Sequence, residues 1–153
     1  MNPIKNKKNL EETISEIRNF AYSYIEKYSP SKQQIKTYLF KKYLKKNQKL
    51  FNKKEILNLI DSVIITLTDQ KFLSDEHYSD AKSRSFLRRG YSLNKIRYNL
   101  IKKGIDEKYI KASISKIKEK ETDPDFFSAI KICKKRRIGP RREESNRNLF
   151  YKK

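Results

Sequence analysis

Between Leu73 and Ile110 the sequence stops and restarts a helix three times within roughly 40 residues. Ser74-Asp75 can cap one helix, and Gly90 supplies its left-handed stop. Ser92 caps a second, with Ile96 and Leu100 inward and Gly104 as the stop. Asp106 caps a third, with Ile110, Ile114 and Ile117 on its face. Helices this short cannot each bury an apolar stripe alone, so they must stack on neighbours. With only 3 Gly and 4 Pro in 153 residues, the remaining chain is free to be helical.

The flanking segments follow the same design. Leu10, Ile14, Ile17, Ala21, Ile25 and Tyr28 form a stripe of helical period, which Ser29-Pro30 ends. Ser31 caps a helix carrying Ile35, Leu39 and Tyr43. Asn52 with Glu55 starts another by a capping-box variant, with Ile56, Ile60, Val63, Ile64 and Leu67 inward. Thr122-Asp123-Pro124 reads as a helix start with Pro at the first helical position. Phe126, Phe127, Ile130 and Cys133 are expected to line that helix, and Gly139-Pro140 separates it from a short last segment.

These units echo one another. Arg88-Arg89 recurs 48 positions later as Arg136-Arg137, Ser74-Asp75 as Thr122-Asp123, and Ala81 as Ala129. With an offset of 61, Ser31, Ile35 and Leu39 fall on Ser92, Ile96 and Leu100. An internal repeat is the physical implication. The expected architecture is all-α: a first three-helix repeat over 1–73, a second over 74–121 and a third over 122–153. By the 48-residue offset, positions 140–151 take the second helix of the last repeat, where Glu144 and Asn148 replace Ile96 and Leu100. A register with an insertion is the alternative. In either register the third repeat is expected to be incomplete.

Apolar residues make up 36% and charged residues 37%, which favours small local cores over one large one. No apolar run approaches the length needed to span a bilayer, and the first ten residues lack the apolar stretch of a secretory signal. A single cysteine, Cys133, leaves no internal disulfide and fits a reducing cytoplasm.

The net charge of +20 calls for an anionic partner, unless it is a solvated lysine-rich helical surface. Arginine is the sharper signal. Of ten Arg, four lie between Arg84 and Arg97 and five between Arg136 and Arg147. Their planar forks bind phosphate or carboxylate in a bidentate way that Lys cannot. The candidate binding residues are Arg84, Arg88, Arg89, Arg97, Lys103, Arg136, Arg137, Arg141 and Arg142. Tyr91 and Tyr98 lie among them and can stack on unpaired bases or pack between helices. His77 and Cys133 are isolated, so no metal site or cofactor is expected. Asp75, Glu76 and Asp106 are explained by helix starts. No phosphate-cradling loop or nucleophile motif is present, so no enzymatic activity is expected.

The motifs S-D-E-x-x-x-x-A (Ser74 to Ala81), R-R-G-Y-S (Arg88 to Ser92), I-R-x-x-L (Ile96 to Leu100) and K-G-I (Lys103 to Ile105) together resemble the RecX family of bacterial recombination regulators. The resemblance implies tandem three-helix repeats in an elongated, curved array. It implies a non-enzymatic regulator that binds the RecA–DNA filament in its groove and restrains RecA in recombination and repair. The implied partners are RecA filament and single- or double-stranded DNA. The chain is also expected to be a cytoplasmic monomer with no membrane attachment. The alternatives are a basic DNA- or RNA-binding protein, a ribosome-associated protein, or a helix-turn-helix regulator over Ser92 to Lys118. Against the last, its recognition helix would open on Asp106-Glu107, with negative charge facing DNA.

Overall fold

In the computed structural model the described residues are 3–46 and 52–138, with side chains described over 11–43 and 52–138. Seven helices occupy them: α1 (Pro3–Tyr28), α2 (Lys32–Lys46), α3 (Lys53–Asp69), α4 (Asp75–Arg88), α5 (Leu93–Lys102), α6 (Glu107–Lys120) and α7 (Pro124–Lys135). There is no strand among the described residues, so the protein is all-α. No described helix is long and apolar enough to cross a membrane.

Local chemistry sets the helix ends. Asn52 accepts from the Glu55 N–H at 2.9 Å, and Glu55 Oε2 accepts from the Asn52 N–H at 3.0 Å, a complete capping box. Ser31 and Gln34 make the same reciprocal pair at the start of α2. Ser74, Ser92 and Asp123 each accept from the N–H three residues on, at α4, α5 and α7. At the other ends the backbone turns left-handed: Ser29 after α1 (φ 41°), Lys71 after α3, Gly90 after α4 (φ 83°), Gly104 after α5 and Arg137 after α7 (φ 52°). After α4 the Tyr91 N–H reaches the Phe86 carbonyl, and after α7 the Ile138 N–H reaches the Cys133 carbonyl. Both pairings follow the Schellman pattern. These two helix ends therefore align Gly90 with Arg137, 47 positions apart, one fewer than the spacing of the arginine pairs.

The chain divides into two compact units. One comprises Met1–Tyr78 with Lys102–Asp106, and the other comprises Ser79–Ile101 with Glu107–Lys153. In the first, α1, α2 and α3 pack pairwise. Ile17, Ala21, Ile35, Leu39, Tyr43, Ile56, Ile60, Val63, Leu67 and Leu73 form one buried cluster. The segment Lys102–Asp106 returns to this unit: Ser31 Oγ donates to the Lys103 carbonyl at 2.7 Å, and Ser31 is fully buried. Lys36 pairs with Asp61 at 2.6 Å, but both ends are partly solvated, so the pair adds little stability.

The second unit buries Ile96, Leu100, Ile110 and Ile117 together with small polar residues. Ser79 and Ser113, almost fully buried, meet between α4 and α6 at 2.9 Å. Serine lets the two helices approach closely while satisfying its own hydroxyl. Ser113 also donates to Asp80 Oδ1 at 2.6 Å, and Lys116 Nζ lies 2.6 Å from Asp80 Oδ2. Burial alone would raise the Asp80 carboxyl. Hydrogen bonds from Lys116 and Ser113, with the charges of Lys116 and Arg84, outweigh it and hold Asp80 below its ordinary value.

Three apolar assignments from sequence need correction. Phe126 and Phe127 do not line the core: they are exposed, with rings edge to face at 5.9 Å, while Ile130 and Cys133 are half-buried. Instead α7 buries Pro124 and Ser128. Ser128 Oγ donates to the Tyr91 carbonyl, a close approach that selects a small residue. Tyr28 shares its stripe's spacing but is the last residue of α1, and its ring turns onto Tyr24 and solvent. Ile114 is only half-buried beside Ile110 and Ile117. The Leu10 side chain and the expected last segment, 140–151, lie outside the described residues.

Candidate nucleic-acid interface

The chain reverses between α4 and α5 through Arg89, Gly90, Tyr91 and Ser92, and this turn rests on α7. The α-carbon of Gly90 is so close to α7 that a Cβ there would sit 3.0 Å from Ile132 and 3.1 Å from the Ser128 carbonyl. The Leu93 N–H, an orphan donor at the start of α5, is satisfied by Asp125 Oδ1 at 2.7 Å. These contacts bring the C-terminal end of α4 beside the last two turns of α7. Arg88 and Arg89 flank Gly90 on one side, and Arg136 follows Ile132 by one helical turn on the other.

Every described candidate cation is exposed: Arg84, Arg88, Arg89, Arg97, Lys103, Arg136 and Arg137. Their surroundings differ. Arg84 acts on the Asp80 carboxylate. Arg97 is held by Glu107 at 2.9 Å. Lys103 belongs to the first unit. Arg88, Arg89, Arg136 and Arg137 have no acidic partner among the described residues; Arg88 and Arg89 adjoin Gly90, and Arg136 and Arg137 follow Ile132 in the chain. Arg141 and Arg142 lie outside the described residues.

Helix electrostatics explain part of this placement. Basic side chains at a helix C-terminus offset the partial negative charge of the last carbonyls. Arg88 sits in the last turn of α4, and Lys134 and Lys135 in the last turn of α7. That effect accounts for one or two cations per end, and additional arginines follow each end directly.

The two aromatic residues sort differently from one another. Tyr91 is half-buried, its ring stacks on Phe86 at 5.3 Å, and Lys95 Nζ lies 4.3 Å from its centre, so it packs the turn. Tyr98 is exposed. A longer aromatic row lies in the first unit. Phe20, Tyr24 and Tyr28 follow one another on α1, and Tyr38 and Lys42 face them from α2. Its signal in the sequence was the spacing of four between successive α1 rings. That signal was absorbed into the neighbouring apolar stripe.

His77 is an exposed first-turn residue, and no group of three or more potential metal ligands occurs among the described residues. Asp75 does more than begin α4: its Oδ1 accepts from the Lys32 N–H at 2.9 Å, at the start of α2. No protein-family model, curated protein or solved structure matches this chain.

Proposed function

We propose that this chain is a non-enzymatic, RecX-like modulator that binds the RecA–DNA filament through the arginines gathered where α4 ends and α7 ends. The observation that carries the proposal is the Gly90–α7 contact, which sets the end of α4, with exposed Arg88 and Arg89, beside α7, whose end carries exposed Arg136, on a chain of net charge +20. Such a cluster fixes a position on phosphate without reading sequence.

A recurring local design supports the repeat architecture on which the proposal depends. Ser29, Ser31 and Asp75 are, respectively, a left-handed turn residue, an N-cap and a carboxylate that accepts from the first amide of α2. Gly90, Ser92 and Asp125 fill the same roles at α5. This recurrence is what tandem three-helix repeats would require, with α1–α3 and α4–α6 as two of them and α7 opening a third. A groove-bound array of this kind would act by binding one conformation of the filament better than another, with inhibition of RecA the expected sign.

The test is co-sedimentation of the full chain with RecA assembled on single-stranded DNA and a slowly hydrolysed nucleotide, beside naked DNA at the same salt. Preferential binding to the filament together with altered RecA activity is expected. Equal binding to naked DNA, with RecA activity unchanged at saturation, would leave the second reading: a basic nucleic-acid-binding module, which the net charge favours.

A further inference from the structure

The outer side of the α1–α2 pair carries alternating rings and ammonium groups that the hydrophobic core does not require. Ile17 and Ala21 of α1 and Ile35 and Leu39 of α2 already fill the inner side and are fully or almost fully buried. Outside them, Lys42 Nζ lies 3.8 Å from the centre of the Phe20 ring and donates to the Tyr38 hydroxyl at 3.1 Å. Tyr38 stacks on Tyr24 with centroids 4.0 Å apart and planes 12° from parallel. Tyr24 meets Tyr28 at 4.8 Å, and Lys27 Nζ lies 5.3 Å from the Tyr28 ring. Phe20, Tyr24 and Tyr38 pack partly against the core, but Tyr28 does not join that cluster and is 55% exposed.

We propose that this row is a stacking platform for the unpaired bases of a single-stranded nucleic acid. The Tyr24–Tyr38 stack holds the row rigid, and the Tyr28 ring, tilted 46° from Tyr24 at the open end, offers its own exposed π face to a base. Lys27 and Lys42 supply ammonium groups for the phosphates. A duplex keeps its bases stacked inside and cannot use the ring, and an acidic peptide would use the lysines but not the π face. Base stacking on a protein ring tolerates any base, so the platform binds without strong sequence preference. The inference is independent of the arginine cluster, which lies in the other unit.

The experiment measures binding of the full chain to a labelled short oligo-dT by fluorescence anisotropy, with an equal-length duplex at matched salt as control. Tyr28→Ala is expected to weaken oligo-dT binding by roughly 5- to 150-fold, the range for losing one stacked base. Tyr28→Phe keeps the ring and is expected to bind as the natural chain does, and duplex binding should not change. Lys27→Gln should lower the steepness of the log–log salt dependence by about 0.7, one phosphate contact on a single strand. An oligo-rU arm distinguishes RNA from DNA as the source of the bases, and Tyr28-dependent binding of either supports the platform. The proposal is overturned if Tyr28→Ala, with helicity intact by circular dichroism, binds both oligonucleotides as well as the natural chain. Equal losses in the Ala and Phe variants would also overturn it.

Discussion

The backbone N–H of Leu93 donates to Asp125 Oδ1 at 2.7 Å, so the first amide of α5 is satisfied by a carboxylate in the first turn of α7. The Lys32 N–H of α2 stands in the same relation to Asp75 of α4, at 2.9 Å. Each bond ties together helix starts that are far apart in the chain. Asp125→Ala is expected to destabilise the protein by about 1 kcal/mol, at the lower part of the range for a lost charged acceptor because water reaches Asp125. Asp75→Ala should cost somewhat more, since Asp75 is less exposed. Urea unfolding gives both values, and faster amide exchange at Leu93 in the first variant would locate the effect. An unchanged midpoint in both variants would refute the assignment.

Gly104→Ala should be among the more damaging single substitutions. Gly104 has φ 73°, and an added Cβ would lie 2.5 Å from Gln33 Cβ and 2.6 Å from its Cγ. The β-carbon of Gln33 is fixed to its helix and cannot swing aside. The left-handed conformation costs a side chain about 1–2 kcal/mol before that clash is added. Gly90→Ala carries the same left-handed cost of about 1–2 kcal/mol and meets Ile132 and a backbone oxygen at 3.0–3.1 Å, a milder contact than that at Gly104. Thermal melting of the two variants should rank Gly104→Ala as the less stable.

The Asp80 carboxylate makes stability depend on acid. Its folded value lies below its ordinary one because Lys116, Ser113 and Arg84 together outweigh burial. A depressed carboxylate stabilises the fold above its unfolded value, and that contribution is lost as pH falls through its folded value. Asp80→Asn should therefore be less stable than the natural chain at neutral pH and converge with it under strong acid. Denaturant midpoints measured across pH test this. A stability gap independent of pH would show that Asp80 acts by shape alone.

The arginine cluster yields a binding prediction. Changing Arg88, Arg89, Arg136 and Arg137 to Ala should weaken binding to the RecA–DNA filament while helicity is retained, because all four are exposed. Binding by the natural chain should fall steeply with salt. With roughly 6–10 phosphate contacts the loss is roughly 10³–10⁵ between about 50 and 200 mM. Full filament binding by the quadruple variant would move the site elsewhere.

Helix boundaries were legible because their causes are local. Asn52 with Glu55, Ser31, Ser92, Asp123-Pro124, Gly90 and Gly104 all act within a few residues of themselves. The carboxylate at Asp75 was legible only as a helix start and that at Asp125 was not singled out, since nothing in the sequence reveals an acceptor serving an amide 43 or 32 residues away. Periodicity also mistook the face of α7. Phe126, Phe127, Ile130 and Cys133 have helical spacing, yet burial requires a neighbour on that side. The neighbour that α7 does have, the turn at Gly90 and Tyr91, selects Ser128. The arginine positions were legible as composition, whereas the placing of the α4 end beside α7 depends on that same contact.

The return of Lys102–Asp106 to the first unit has a consequence for the order of events during synthesis. Ser31 is buried against the Lys103 carbonyl, 72 residues later in the chain. At the usual elongation rate of about 5–20 residues per second, the hydroxyl waits roughly 4–14 s for its partner to be polymerised. Throughout that interval the segment up to Tyr78 lacks its closing strap, so this unit cannot reach its final form as it emerges from the ribosome. Its completion is coupled to the making of residues 79–101, which belong to the other unit.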